Sequence, residues 1–225
     1  MRGKLIVIEG TDCSGKETQA RLLKNALRNE GVRIEHFSYP NYQSPTGKIV
    51  SQCYLGREGQ GWFPEGADQV DPMVSSLYFA ADRKYNIHKI TYLLENGVHV
   101  IIDRYVYSNM AHQGGKILDD EKRLELYNCL DTLEFSLLKL PKPDVAIFLH
   151  VPTEYSLKLM KQNRDKVDEH EQCEEHLYHA EKAYLELSHR YHFYQIECNI
   201  NHELKSIEEI HEQLLLYVKK ELGLS

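Results

Sequence analysis

The stretch KLIVIEGTDCSGKETQARLL, Lys4 to Leu23, decides the fold. LIVI is apolar and suits a buried strand, Gly10 to Lys16 spells GxxxxGK, and Ala20, Leu23 and Leu27 recur at helical spacing until Gly31. A strand that runs through a glycine loop into a helix is the setting in which such a loop holds phosphate. Gly10 and Gly15 let the backbone curl so that successive N–H groups face an anion, Lys16 adds a point charge, and the helix adds its positive end. Glu17 stands where these loops carry the Ser or Thr whose hydroxyl meets Mg²⁺. It has two placements. Pointing outward in the first helical turn, the carboxylate gains roughly 0.3–1 kcal/mol from the helix dipole; facing the bound phosphate, it would meet Mg²⁺, directly or through water. An outward or water-mediated placement is expected, with Thr18 bringing a hydroxyl to the phosphates.

Beyond this unit, short β-branched runs alternate with helical patterns. VRIEHFSYP gives a second strand that ends before Pro40, and a polar, Gly-rich stretch follows from Asn41 to Asp68. Asp71-Pro72 supplies an N-cap and a first-turn proline for a helix whose apolar positions reach Leu94 before Gly97. Further strands are expected at 98–103, 144–151 and, more weakly, 192–198. This order predicts an α/β fold with a parallel sheet and helices on both faces, in which ligands bind beyond the carboxyl ends of the strands. The glycine loop lies at one such end and Asp103-Arg104 at another.

The 225 residues, 42% hydrophobic, suit one sizeable core rather than two domains. The first apolar run is too short for a signal peptide, no segment reaches membrane-spanning length, and the odd, widely spaced cysteines (Cys13, Cys53, Cys129, Cys173, Cys198) suit a reducing compartment, so a cytoplasmic protein without a membrane partner is expected. A net charge of -7 argues against a nucleic-acid-coating protein. It leaves room for a small phosphorylated substrate, provided that cations gather at the phosphate loop.

Two later segments make the reading specific. Within SSLYFAADRKYN, Phe79 and Arg83 lie four residues apart, hence on one helix face about 6 Å apart along the axis. By spacing alone, a core Phe and a surface Arg would do. After the 98–103 strand comes DRYVYSNMAHQGGK. IEGTDCSGKETQ, YFAADR and DRYVYSNMAHQGG, in this order and at these separations, resemble thymidylate kinases, which phosphorylate dTMP with ATP. The resemblance spans nearly the whole chain and implies a single three-layer P-loop domain over 1–225, with a five-stranded parallel sheet, a small lid at about 160–175, and usually a homodimer. It implies ATP as co-substrate with Mg²⁺, and ATP contacts along Gly10, Thr11, Asp12, Cys13, Ser14, Gly15, Lys16, Glu17 and Thr18.

By the same resemblance, Lys16 would touch the β/γ-phosphates and Asp12 the substrate sugar hydroxyl. Phe79 would stack on thymine, Arg83 would bond its carbonyl edge, and Asn109 and Gln113 would also face the substrate. Arg104 would hold the substrate phosphate and Asp103 would serve near the metal shell. Three positions depart from the pattern: Glu17, as above; Tyr42, where some members carry a phosphate-binding Arg; and His112, where relatives have Tyr or Phe under the sugar. Cys13 stands where some members place a catalytic Arg, so the lid must supply that cation. MKQNRDKVDEHEQ offers Arg164, flanked by Lys161 and Lys166. His170, Cys173, His176 and His179 follow at i, i+3 steps, but no second ligand pair completes a zinc site, and they are taken as lid and helix surface. The alternatives are a kinase for another deoxynucleotide monophosphate or a nucleoside, and a non-catalytic nucleotide-binding regulator.

Overall fold

The computed structural model describes residues 2–57, 59, 61–163 and 174–224, without the side chains of 161–163. In chain order it has β1 (Leu5–Gly10), α1 (Lys16–Asn29), β2 (Ile34–Ser38), α2 (Pro45–Lys48), α3 (Pro72–Glu95), β3 (His99–Asp103), α4 (Val106–Gly114) and α5 (Asp120–Asp131). Then come β4 (Val145–His150), α6 (Thr153–Asn163), α7 (Glu174–Arg190), β5 (Tyr194–Glu197), a ribbon of β6 (Asn199–Ile200) and β7 (Glu203–Leu204), and α8 (Ile207–Leu222). Two π-helical turns, Ile49–Tyr54 and Thr132–Leu137, extend α2 and α5.

The sheet is parallel, in the order β2-β3-β1-β4-β5. Because side chains alternate along a strand, central β1 feeds two cores. Leu5 and Val7 pack with Ile87, Ile90 and Leu94 of α3, Met110 of α4 and Tyr184 of α7. Ile6 and Ile8 pack with Ala20, Leu23 and Leu27 of α1 and with Leu214 and Val218 of α8. The four apolar β1 side chains are fully buried, each worth roughly 1.5–3 kcal/mol of transfer free energy. The result is the expected three-layer arrangement. Among the described residues, no helix is long and apolar enough to cross a membrane.

The helix expected from Asp71-Pro72 forms as read, with the Asp71 carboxylate accepting from the Met73 and Val74 amides at 2.9 and 3.0 Å. The Asn41–Asp68 stretch holds more structure than its composition suggests. Ser44 caps α2 by accepting from the Gly47 amide at 3.0 Å, and Val50, Tyr54, Leu55, Ala67 and Val70 form a small separate core. Tyr42, Phe63, Tyr78 and Phe79 pack against that core. β1 lies between β3 and β4, so the chain order reverses there, and a cleft opens above its carboxyl end.

Candidate active site

The loop between β1 and α1 needs both glycines. A Cβ on Gly10 would come within 2.6 Å of the Ser14 hydroxyl and 2.7 Å of the Leu149 carbonyl, and Gly15 sits at φ 79°. Cys13 is also left-handed, at φ 59°. Lys16 folds back over the loop, its ammonium donating to the Thr11 carbonyl at 2.6 Å and the Ser14 hydroxyl at 3.2 Å. Burial and the nearby Arg104 cation push its pKa down to about 8. Glu17 is exposed in the first turn of α1 and Thr18 half-buried beside it. The loop opens into a cleft of roughly 610 Å³, within the range of small-ligand sites.

The strand-end pair borders the same cleft. Asp103 is buried, and its Oδ1 has no hydrogen-bond partner. Arg104 is strained at φ 63°, which swings its guanidinium across to an ion pair with the Asp12 carboxylate. The next helix is fixed from beneath by Glu9. Fully buried, Glu9 accepts from the amides of Tyr105 at 2.9 Å and Ser108 at 3.3 Å and from the Ser108 hydroxyl, capping the start of α4. Burial raises its pKa and these hydrogen bonds oppose the rise.

On α4, His112 lies 3.4 Å from an Arg104 nitrogen and 3.3 Å from the His176 ring, with which it stacks. Burial drives the His112 pKa down to about 3, so the ring is neutral. Since Arg104 can only donate, His112 Nε2 accepts and its Nδ1–H points to His176. This corrects the reading of His176 as helix surface: it is buried, because α7 turns that face onto α4. Among the described residues, no group of three or more His, Cys, Asp or Glu side chains could hold a metal.

Phe79, Arg83, Asn109 and Gln113 meet at one end of the cleft. Phe79 is half-buried and sits edge-on to Tyr54 at 5.6 Å. Arg83 is buried and forms a fork with Glu134, Nε and one terminal nitrogen each 2.5 Å from a carboxylate oxygen, so only its other terminal nitrogen, 3.4 Å from the Tyr105 carbonyl, is turned elsewhere. Glu134 also accepts from the Asn109 amide at 3.1 Å. Sequence reading missed Glu134; a buried acid in a π-helical turn has no local signature. Asn109 Oδ1 and both polar atoms of Gln113 are buried without a hydrogen-bond partner.

Tyr42 and Arg57 border the cleft too, the Arg57 guanidinium lying 4.5 Å from the Tyr42 ring centre. Arg57 was not singled out from the sequence because nothing in the polar 41–68 stretch marks it. Arg164, Lys166, His170 and Cys173 lie outside the described residues, as does the Lys161 side chain, and with them most of the proposed lid.

The family model that matches the chain is thymidylate kinase, over residues 8–214. A thymidylate kinase of Plasmodium falciparum is 30% identical over 97% of this chain and 91% of its own. A probable thymidylate kinase of Pyrococcus horikoshii is 33% identical over 99% and 98%. The solved structure of thymidylate kinase from Candida albicans superposes with a TM-score of 0.73 at 24% identity, covering 97% of this chain and 92% of that one, and so shares the fold.

Proposed function

The chain belongs to the thymidylate kinase family and transfers phosphate from ATP to dTMP, and from that premise we propose how its residues divide the work. The observation that carries the division is the pairing, in one cleft, of a phosphate loop at one end with buried amide atoms lacking partners, Asn109 Oδ1 and both of Gln113, at the other. Buried polar atoms are rarely left unpaired. The carbonyl of Asn109 and the amide of Gln113 together offer acceptors and donors for the N3–H and carbonyls of thymine. Phe79 supplies the stacking face. Arg83, clamped by Glu134, presents its remaining nitrogen rather than a free fork to the base edge.

Arg104 holds the dTMP phosphate. Asp12, paired with it, turns to the sugar hydroxyl, and neutral His112 lies beneath the sugar. Arg57, laid over Tyr42, restores a cation near the position where Tyr42 replaces an arginine. Thr11 to Thr18 wrap the ATP phosphates, with Lys16 releasing its loop oxygens for the β/γ oxygens and Glu17 kept outward. The donor set fits Mg²⁺, a hard cation that takes one or two carboxylates besides phosphate oxygens, since Asp103 has a buried oxygen without a partner. When bound, Mg²⁺ neutralises charge on the polyphosphate. Arg164, from a lid at about 160–175, adds the cation that Cys13 does not supply. One domain over 1–225, a homodimer and a cytoplasmic location complete the proposal.

The test is coupled ADP release with dTMP, dUMP, dCMP, UMP and thymidine. Turnover is expected to be fastest with dTMP. Preference for thymidine would mean a nucleoside kinase, and no turnover with any of them would mean a binding protein.

A further inference from the structure

Lys116, two residues beyond α4, contributes to neither end of the cleft as described above. Its ammonium nevertheless sits in a nest of four oxygens: the Ala67 carbonyl at 2.6 Å, the Tyr54 hydroxyl at 3.0 Å, the Val70 carbonyl at 3.1 Å and the Ser75 hydroxyl at 3.4 Å. These belong to three separate pieces of chain, namely the π-helical turn, the loop that follows it and the first turn of α3. Its own position is set by close helix contact, because a Cβ on neighbouring Gly115 would come within 2.9 Å of the Ala180 amide nitrogen on α7. Lys116 is thus anchored on the α4–α7 side and grips the small separate core.

Tyr54 is the middle of that core. Fully buried, it meets Phe79 edge-on at 5.6 Å and Phe63 edge-on at 6.0 Å, and it stacks on Tyr78 at 6.3 Å. Its hydroxyl, held by Lys116, also donates to the Ala67 carbonyl at 2.8 Å. Placing a cation there is costly: burial pushes the Lys116 pKa down to about 8, against the pull of Asp68 and Asp71. A residue meant only to fill the space would avoid that cost. We infer that Lys116 is a positioning residue for nucleobase recognition, fixing the Phe79 ring through Tyr54. The inference rests on the reading that Phe79 stacks on the base.

The experiment is steady-state kinetics with dTMP and ATP for Lys116→Met, Lys116→Arg, Tyr54→Phe, Phe79→Ala and the Lys116→Met/Phe79→Ala double variant. Lys116→Met is expected to raise the dTMP KM by roughly five- to thirty-fold. The ATP KM and kcat should stay within about three-fold of the parent. Lys116→Arg should recover most of the loss, and Tyr54→Phe, which keeps the ring, should shift the dTMP KM in the same direction by less. In the Phe79→Ala background Lys116→Met should add little, the non-additivity expected of residues acting through one contact. An unchanged dTMP KM in both Lys116→Met and Tyr54→Phe, equal loss with both substrates, or full additivity with Phe79→Ala would overturn the assignment. Should Lys116→Met fail to fold, Tyr54→Phe alone decides between these outcomes. Phe79→Ala by itself tests the stacking reading: an unchanged dTMP KM there sinks that reading, whatever Lys116 does.

Discussion

At the scale of single residues, the cleft is defined by charges held at a cost. Lys16 is the clearest case. Its ammonium is the form that binds phosphate, yet burial leaves the free protein half-deprotonated near pH 8. For ATP, kcat/KM reports groups of the free enzyme, so it should fall as pH rises through about 8. A profile flat to about pH 9.5 would show that Lys16 keeps an ordinary amine pKa. Arg57, which also lines the cleft, gives a second prediction. If its guanidinium serves the substrate phosphate, Arg57→Gln should weaken dTMP by roughly ten-fold, the value of one charge-assisted hydrogen bond, while inhibition by thymidine, which has no phosphate, stays unchanged. Equal weakening of both ligands would place Arg57 on the base or sugar instead.

At the scale of elements, one side-chain cluster joins the end of β4 and the start of α6 to the middle of α7. His150, closing β4, lies 2.9 Å from Glu181 of α7 and 2.7 Å from Glu197 of β5. The same Glu181 accepts from the Thr153 amide at 2.9 Å and hydroxyl at 2.6 Å, capping α6. Burial alone would lower the His150 pKa; hydrogen bonds and charge from Glu181 and Glu197 outweigh it and raise the pKa above its ordinary value. A raised histidine stabilises the fold fully below its unfolded pKa, and that contribution disappears as pH rises through the folded value. His150→Gln should therefore lower Tm by about 2–4 °C at roughly pH 6, corresponding to about 1 kcal/mol, and by less at roughly pH 9. Scanning calorimetry at both pH values checks this; an equal loss at both would mean that packing, not charge, is what His150 contributes. The helix α3 carries a second element-scale feature. Val74, Leu77, Tyr85 and Tyr92 are exposed and recur, at helical spacing, on a face turned away from Phe79 and Arg83. If the homodimer proposed above forms through this face, sedimentation should show a dimer that Leu77→Glu together with Tyr85→Glu converts to monomer. A parent chain already monomeric at micromolar concentration would remove the proposal.

At the scale of the whole molecule, the proposed division of work gives the phosphate loop and strand-end residues to ATP and dTMP and assigns the transition-state cation to Arg164. Arg164→Ala should lower kcat by at least roughly 10²-fold with a smaller change in either KM, because Lys16, Arg104 and the loop amides retain ground-state binding. Lysine at 164 should restore only part of the loss, lacking the planar fork. Saturating kinetics of both variants decide it, and a near-normal kcat in Arg164→Ala would turn attention to Lys161 and Lys166. The sequence by itself determined the elements whose signals are local. LIVI before GTDCSGK, Asp71-Pro72 before α3 and the apolar runs of β3 and β4 each specify strand, cap or helix within a few residues, and their alternation implies the parallel three-layer sheet. The same locality marked Lys16, Asp103 and Arg104, whereas Phe79 and Arg83 stood out only through the resemblance to a family. Only the tertiary structure decided what those side chains face. The partners Arg83 and Glu134 are 51 positions apart, His112 and His176 are 64 apart, and Lys116 finds Tyr54 across 62. Such pairings follow from how helices pack on the sheet, and no periodicity or motif encodes a contact between residues that share no element.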